Sequence, residues 1–162
     1  MSRGVLFALN AEDGVQVAEA ESDADVISVV ERLEERWDGS WLEELDKAWD
    51  ALHRCLSDGT LNEDGGDYPL SFAIFGGEPA LDKHGYIVRY VDPEEVVAVS
   101  DALNSVDEQW LRQRYNTLAF IGYQGVRSEE DLAYTVASLP GLRSFYQRAA
   151  AAGRAVIFTV DQ

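Results

Sequence analysis

Cysteine is nearly missing from this chain: Cys55 stands alone, so no internal disulfide can form and no cysteine cluster can hold a metal. Histidine is scarce too. His84 sits beside Lys83 and Gly85 with no second histidine close by, and metal-ligand spacing is absent. No stretch approaches the ~20 consecutive apolar residues needed to cross a bilayer. The opening residues Met1, Ser2, Arg3 and Gly4 also lack the charged region and long apolar run of a secretory leader. These absences predict a cytoplasmic protein, neither secreted nor embedded. Basic residues are few, 13 against 30 acids, leaving a net charge of −17 that repels nucleic acid phosphates and anionic lipid headgroups. Neither partner is expected.

What is present is enough apolar material to fold. With 162 residues and 46% apolar side chains, the chain can bury one substantial core, and a single domain over residues 1–162 is expected. Gly4 to Leu9 (GVLFAL), Tyr86 to Val91 (YIVRYV) and Ala155 to Val160 (AVIFTV) read as strands, which places both ends of the chain in one sheet.

Helices are announced by their caps, where a Ser or Asp side chain takes an orphan backbone N–H and an acid three residues on answers it. Ser22 with Asp25, Ser40 with Glu43, Asp92 with Glu95, Ser105 with Glu108 and Ser128 with Asp131 all fit. The first helix has Val26, Ile27, Val30, Leu33 and Trp37 at helical spacing; the second runs through Leu42, Leu45, Trp49, Leu52 and Leu56 and stops at Asp58 and Gly59. Pro93 suits the first position of the next helix. From Ser128 to Gly153 the pattern fits one helix bent at Pro140 or two in succession. The polar stretch Thr60 to Asp67 and the glycine-bearing stretch Asn116 to Arg127 read as loops. Strands and helices in this arrangement predict an α+β fold.

Chemistry is harder to find. Along Leu45 to Leu56 (LDKAWDALHRCL), Asp46, Trp49, Asp50 and His53 recur at three- and four-residue steps and so share a side of one helix. At about 100° per residue, His53 lies roughly 60° and Asp50 roughly 120° from the centre of the apolar stripe. An Asp orienting a border imidazole beside an indole could serve as a general base or a polar anchor. The structural reading, a histidine that closes the packing beside a core Trp and bonds the backbone, is the more economical one. The acidic loop Asn62 to Asp67 fails as a calcium loop, because the first and last ligand positions of an EF-hand register would be Thr60 and Ser71. Gly76 and Gly77 lack both the P-loop lysine and dinucleotide spacing, and read as a helix stop. No G-x-S-x-G elbow occurs, and Cys55 lies within a helix with no activating neighbour. No cofactor is expected.

Four segments, in this order, resemble the YfbM-like bacterial domain family: LDKAWDALHRCLSDG (Leu45 to Gly59), PLSFAIFGG (Pro69 to Gly77), YVDPEEVVAVSDAL (Tyr90 to Leu103) and LRSFYQRAAAAGRAVIFTV (Leu142 to Val160). The D-K-x-W-x-x-L-H string of Asp46, Lys47, Trp49, Leu52 and His53 is the most specific part. The resemblance implies a compact α+β domain of uncharacterised function in the bacterial cytoplasm. It also makes Lys47, Trp49 and His53 the best candidates for a site, and with Asp46 and Asp50 from the helical spacing these form the binding patch to test. Relatives tend to carry a proline and a tryptophan where this chain has FIGYQGVR (Phe120 to Arg127), so a pocket wall built from that loop would differ here.

The charge is also uneven. Residues 11 to 67 hold 18 acids and 4 bases, whereas residues 68 to 162 hold 12 acids and 8 bases. With no recognisable catalytic set, this asymmetry leads to an expected non-enzymatic module that docks on a basic protein partner. The alternative is an enzyme or small-molecule binder with a pocket around His53, Asp50 and Trp49. A solvated acidic surface with no partner is the plainest reading of the charge, and arginines of the second half folding back onto the patch would favour it.

Overall fold

Both terminal strands pair with each other in the computed structural model, which describes residues 2–83 and 85–161. β1 (Gly4–Ala8) and β5 (Val156–Asp161) run antiparallel with Gly4 opposite Val160 and Ala8 opposite Val156. β4 (Tyr86–Val91) pairs with the other side of β5, while β2 (Leu42–Asp46) flanks β1 and β3 (Glu78–Lys83) flanks β4. The order β2-β1-β5-β4-β3 is antiparallel throughout and leaves β5 in the centre.

Successive side chains leave a strand on opposite faces, and here both faces are covered. Leu6, Ala8, Ile87, Val91, Val156, Phe158 and Val160 enter one core with residues of α3 (Trp49–Leu56), α4 (Pro93–Leu103), α5 (Glu108–Thr117), α6 (Glu129–Ala137) and α7 (Leu139–Ala151). Phe7, Val88 and Ile157 enter the other, against α1 (Ala11–Ala18) and α2 (Asp23–Arg36). α2 contributes Val26, Val29, Val30 and Leu33, each buried side chain stabilising the fold by about 1.5–3 kcal/mol.

Three of the expected caps form. Ser22 accepts from the Asp25 N–H, Ser128 accepts from the Asp131 N–H, and Asp92 with Glu95 makes a complete capping box ahead of Pro93. Two do not. Asp107, rather than Ser105, caps α5 by accepting the Trp110 N–H at 2.7 Å. The helix expected from Ser40 is instead a 3₁₀ turn (Gly39–Trp41), then β2, with α3 beginning only at Trp49. Leu42 and Leu45 are three residues apart because they serve opposite faces of a strand buried on both sides, a spacing that mimics a helical stripe. Two helices form, α6 and α7, parted at Ser138 with Pro140 in the first turn of the second, which Gly153 follows at φ 67°.

α1 and β3 carry weak sequence signals. Asn10 caps α1 by accepting the Asp13 N–H at 2.8 Å, but an eight-residue helix containing Gly14 shows little periodicity. β3 contains Pro79, tolerated because this is an edge strand with a register shift between Pro79 and Leu81. Gly76 and Gly77, expected to stop a helix, lead from a 3₁₀ turn (Leu70–Phe72) into β3. A β-carbon on Gly76 would lie 1.9 Å from the Ser71 carbonyl oxygen, so only glycine passes there.

Candidate functional site

All eight residues of α3 are buried, which makes this helix the axis on which the patch is built. Asp46 stands apart from the helix, at the end of β2 with φ 47°. It accepts the Tyr134 hydroxyl at 2.9 Å and pairs with Arg3 at 3.2 Å. The expectation that Asp46 shares a helix side with Trp49, Asp50 and His53 therefore gives way, and Lys47 is exposed in the turn after β2.

Trp49 and Asp50 bound a cleft of about 260 Å³ with Ser2, Leu61, Gly122, Gln124 and Val160. Their polar groups are already engaged. The Trp49 indole N–H donates to the Ser2 carbonyl at 2.8 Å, and the ring packs on Phe75 and Phe158. Asp50 accepts from Arg54 Nε at 2.5 Å. Arg54 Nη1 donates to the carbonyls of Gly59 at 2.9 Å and Ile121 at 2.7 Å, while the guanidinium lies near the rings of Phe120 and Tyr123. The divergent loop thus takes part in the site by receiving Arg54. Tyr115 and Tyr123 brace it by donating their hydroxyls to Asp131.

His53 is 1% exposed, deeper than a border residue, and borders neither Trp49's cleft nor solvent. Its Nδ1 accepts the backbone N–H of Phe75 at 3.3 Å. Burial first, then the neighbouring Arg54 charge, lowers its pKa to about 4, so the ring is neutral at pH 7. The Ala73 carbonyl, two residues before Phe75, receives the Tyr146 hydroxyl at 2.7 Å, and the segment is pinned from both sides.

The Phe75 ring also meets a residue outside the Leu45 to Leu56 pattern. Arg89 is 1% exposed, its guanidinium 4.7 Å above the Phe75 ring and its Nη2 2.5 Å from Oε1 of Glu63. The signal was present in YIVRYV, where Arg89 occupies the same alternation as the buried Ile87 and Val91.

The arginines of the second half mostly serve backbone carbonyls. Arg114 donates to Cys55 and Ser57, Arg143 to Leu103 at the end of α4 and to Val106 after it, and Arg148 to Ser40. Arg112 pairs with Glu108 and Glu129 of its own half. On α2, Arg32 and Arg36 both turn to the buried Asp13, each at 2.6 Å. Burial alone would raise the Asp13 pKa, but these two guanidiniums hold it below the usual carboxylate range.

Cys55 is buried on α3, where burial pushes its thiol up to about 12, an inert state. Among the described residues no three His, Cys, Asp or Glu side chains gather where they could hold a metal ion, and His84 lies outside those residues. No helix among them is long and apolar enough to cross a membrane.

A search of curated proteins finds no match. Among solved structures, the chain is similar to YfbM from Escherichia coli, a protein of unknown function, at 25% identity and a TM-score of 0.68 over 98% of this chain and 99% of that one. The resemblance read from the four segments is borne out, as is the α+β fold. A model of the family described as "Domain of unknown function (DUF1877)" matches residues 1–159, and the chain belongs to that family.

Proposed function

We propose that this protein is a non-enzymatic binding module whose acidic α2 face docks on a basic protein partner. The observation that carries the reading is the destination of the arginines. Arginines of the second half go mostly to backbone carbonyls or to acids of their own half, and Arg32 and Arg36 of α2 turn to the buried Asp13 rather than to the exposed acids of α2. The exceptions are Arg89, which pairs with Glu63, and Arg148, which acts on Glu43 while it bonds the Ser40 carbonyl.

Glu31, Glu34, Glu35 and Asp38 are exposed on and just beyond α2. Partial burial, then Asp161 and Glu31, raise the pKa of Glu34, the mark of a crowded negative surface. Glu31 and Glu34 also rim a dent of about 60 Å³ floored by Ile27, Val30, Leu81 and Tyr86. Such a surface suits a Lys or Arg side chain, which lays its stem on apolar atoms and keeps its charge at the acids.

The test is capture of partners from lysate by wild type and by a variant with Lys at Glu31, Glu34, Glu35 and Asp38. Capture by wild type should weaken as salt shortens the screening length from ~10 Å at 0.1 M toward ~3 Å at 1 M. Equal, salt-insensitive capture by both proteins would sink the reading. The cleft beside Trp49 and Asp50 favours the second reading, a small-molecule pocket, and a ligand that protects those residues without involving α2 would select it.

A further inference from the structure

Around the Phe75 ring lie buried hydrogen-bond donors that the fold leaves without acceptors. Because His53 Nδ1 accepts the Phe75 N–H, the neutral imidazole carries its proton on Nε2, and that buried group has no partner among the described residues. His53 meets the edge of the Phe75 ring with centroids 5.7 Å apart. Arg89 lies against the same ring, with Nε and Nη1 buried and without a partner among the described residues. The Ser57 hydroxyl is a further buried group without a partner among the described residues. It sits under Gly66, where a β-carbon would come within 2.5 Å of Oγ.

Guanidinium and imidazole N–H groups only donate here, so the local demand is for an acceptor. A buried donor left unpaired costs about 1–3 kcal/mol, and more when it is charged. Glu63, which reaches Arg89, also lines a cleft of about 370 Å³ whose walls include Asp64, Gly66, Ser71, Gly77 and Glu78, while Arg89 and His53 are not themselves part of its lining. Glu63 is half exposed on the loop at its mouth and reaches in to Arg89 through one oxygen on one nitrogen. A guanidinium can take a carboxylate through two parallel N–H bonds, so this contact uses half of what Arg89 offers.

We propose that this cleft is a carboxylate-binding site in which Glu63 occupies the ligand's place, and that a small-molecule carboxylate displaces Glu63 to bind Arg89 and approach the His53 Nε2–H. A singly charged carboxylate fits better than a phosphate dianion, because Glu63 already shows the shape that fits and a chain of net charge −17 repels a second negative charge more strongly. The site is separate from the α2 face and stands or falls without it. Glu63 competes as a tethered ligand at an effective concentration on the order of millimolar, so the intact chain binds free carboxylates weakly and removal of Glu63 exposes the site.

The experiment titrates acetate, with inorganic phosphate and chloride at matched ionic strength, into wild type, Glu63→Ala and Glu63→Ala with Arg89→Lys. Amide shifts and the melting temperature are followed. Acetate should saturate Glu63→Ala at about tenfold lower concentration than wild type. It should also raise that variant's melting temperature and shift the amides of Phe75, Gly76 and Gly77, and Arg89→Lys should remove these effects. If the lysine variant does not fold, the shifts in Glu63→Ala decide. No saturation by acetate in Glu63→Ala, shifts confined to other parts of the chain, or an unchanged response in folded Arg89→Lys would overturn the site. Tighter binding of phosphate than of acetate would overturn the carboxylate assignment.

Discussion

Arg54 Nε donates to Asp50 Oδ1 at 2.5 Å one helical turn away, and both residues lie in the interior. An i, i+4 pair on a surface helix is worth a few tenths of a kcal/mol, but here the pair is desolvated and Arg54 also ties α3 to Gly59 and to the Ile121 loop. Asp50→Ala should cost about 3–5 kcal/mol, since it leaves a buried guanidinium without its counter-charge. Arg54→Met, which leaves the Asp50 carboxylate alone, should cost a similar amount, and the double variant less than the sum. Denaturant unfolding of the four proteins measures the coupling; strict additivity would show that the two side chains act independently.

His53 supplies a pH dependence with a definite sign. Its ordinary pKa is 6.5 and the folded value is about 4, so between these limits the unfolded chain binds a proton that the native chain does not. The resulting stability is complete above pH 6.5 and lost as pH falls toward 4, amounting to about 3 kcal/mol in all. His53→Gln should flatten the curve of unfolding free energy within that window. A slope unchanged from wild type would mean that the histidine is not held neutral in the fold.

Gly4 and Trp49 constrain each other across the first strand. A β-carbon on Gly4 would fall 2.8 Å from Trp49 Cγ and 2.7 Å from Phe158 Cε1, both in packed rings that have little room to retreat. Gly4→Ala should therefore destabilise by about 1–3 kcal/mol although alanine suits a strand no worse than glycine. Trp49→Ala, which opens the same contact instead of crowding it, should cost about 3–5 kcal/mol. Thermal melts of both variants, read against wild type, check the pair; a neutral Gly4→Ala would show that the rings shift freely.

Much of this architecture was legible because its signals are local. Side-chain oxygens at Ser22, Asp92 and Ser128 bond backbone within three residues, and the apolar strands at both ends of the chain declare themselves by composition. What misled was spacing that two structures share. Leu42 and Leu45 satisfy a helix stripe and a doubly buried strand equally, and pairing with β1 decided for the strand. In the patch, Trp49, Asp50 and His53 do gather on α3, while Asp46 and Lys47 fall outside it. Arg89 and Glu63 stayed hidden because they are 26 residues apart and meet only through tertiary folding.

The position of β5 gives the sharpest expectation about folding. Val156–Asp161 is the central strand, with β1 on one side and β4 on the other, and its residues from Val156 to Val160 are all buried. A chain ending at Gly153 loses the strand that joins the β2-β1 pair to the β4-β3 pair, along with Val156, Phe158 and Val160 from one core and Ile157 from the other. The remaining hairpin-sized pairs are marginal alone, because two strands without a shared apolar face rarely hold together in water. Such a chain should lack a cooperative thermal transition and its near-ultraviolet circular dichroism should collapse, since Trp49 and Phe75 both pack on Phe158. Residual helical signal would persist from α2 and α7, the longest helices, without fixed tertiary packing. A soluble chain ending at Gly153 that still melts cooperatively would show that β5 is peripheral and that the two strand pairs find another way to close.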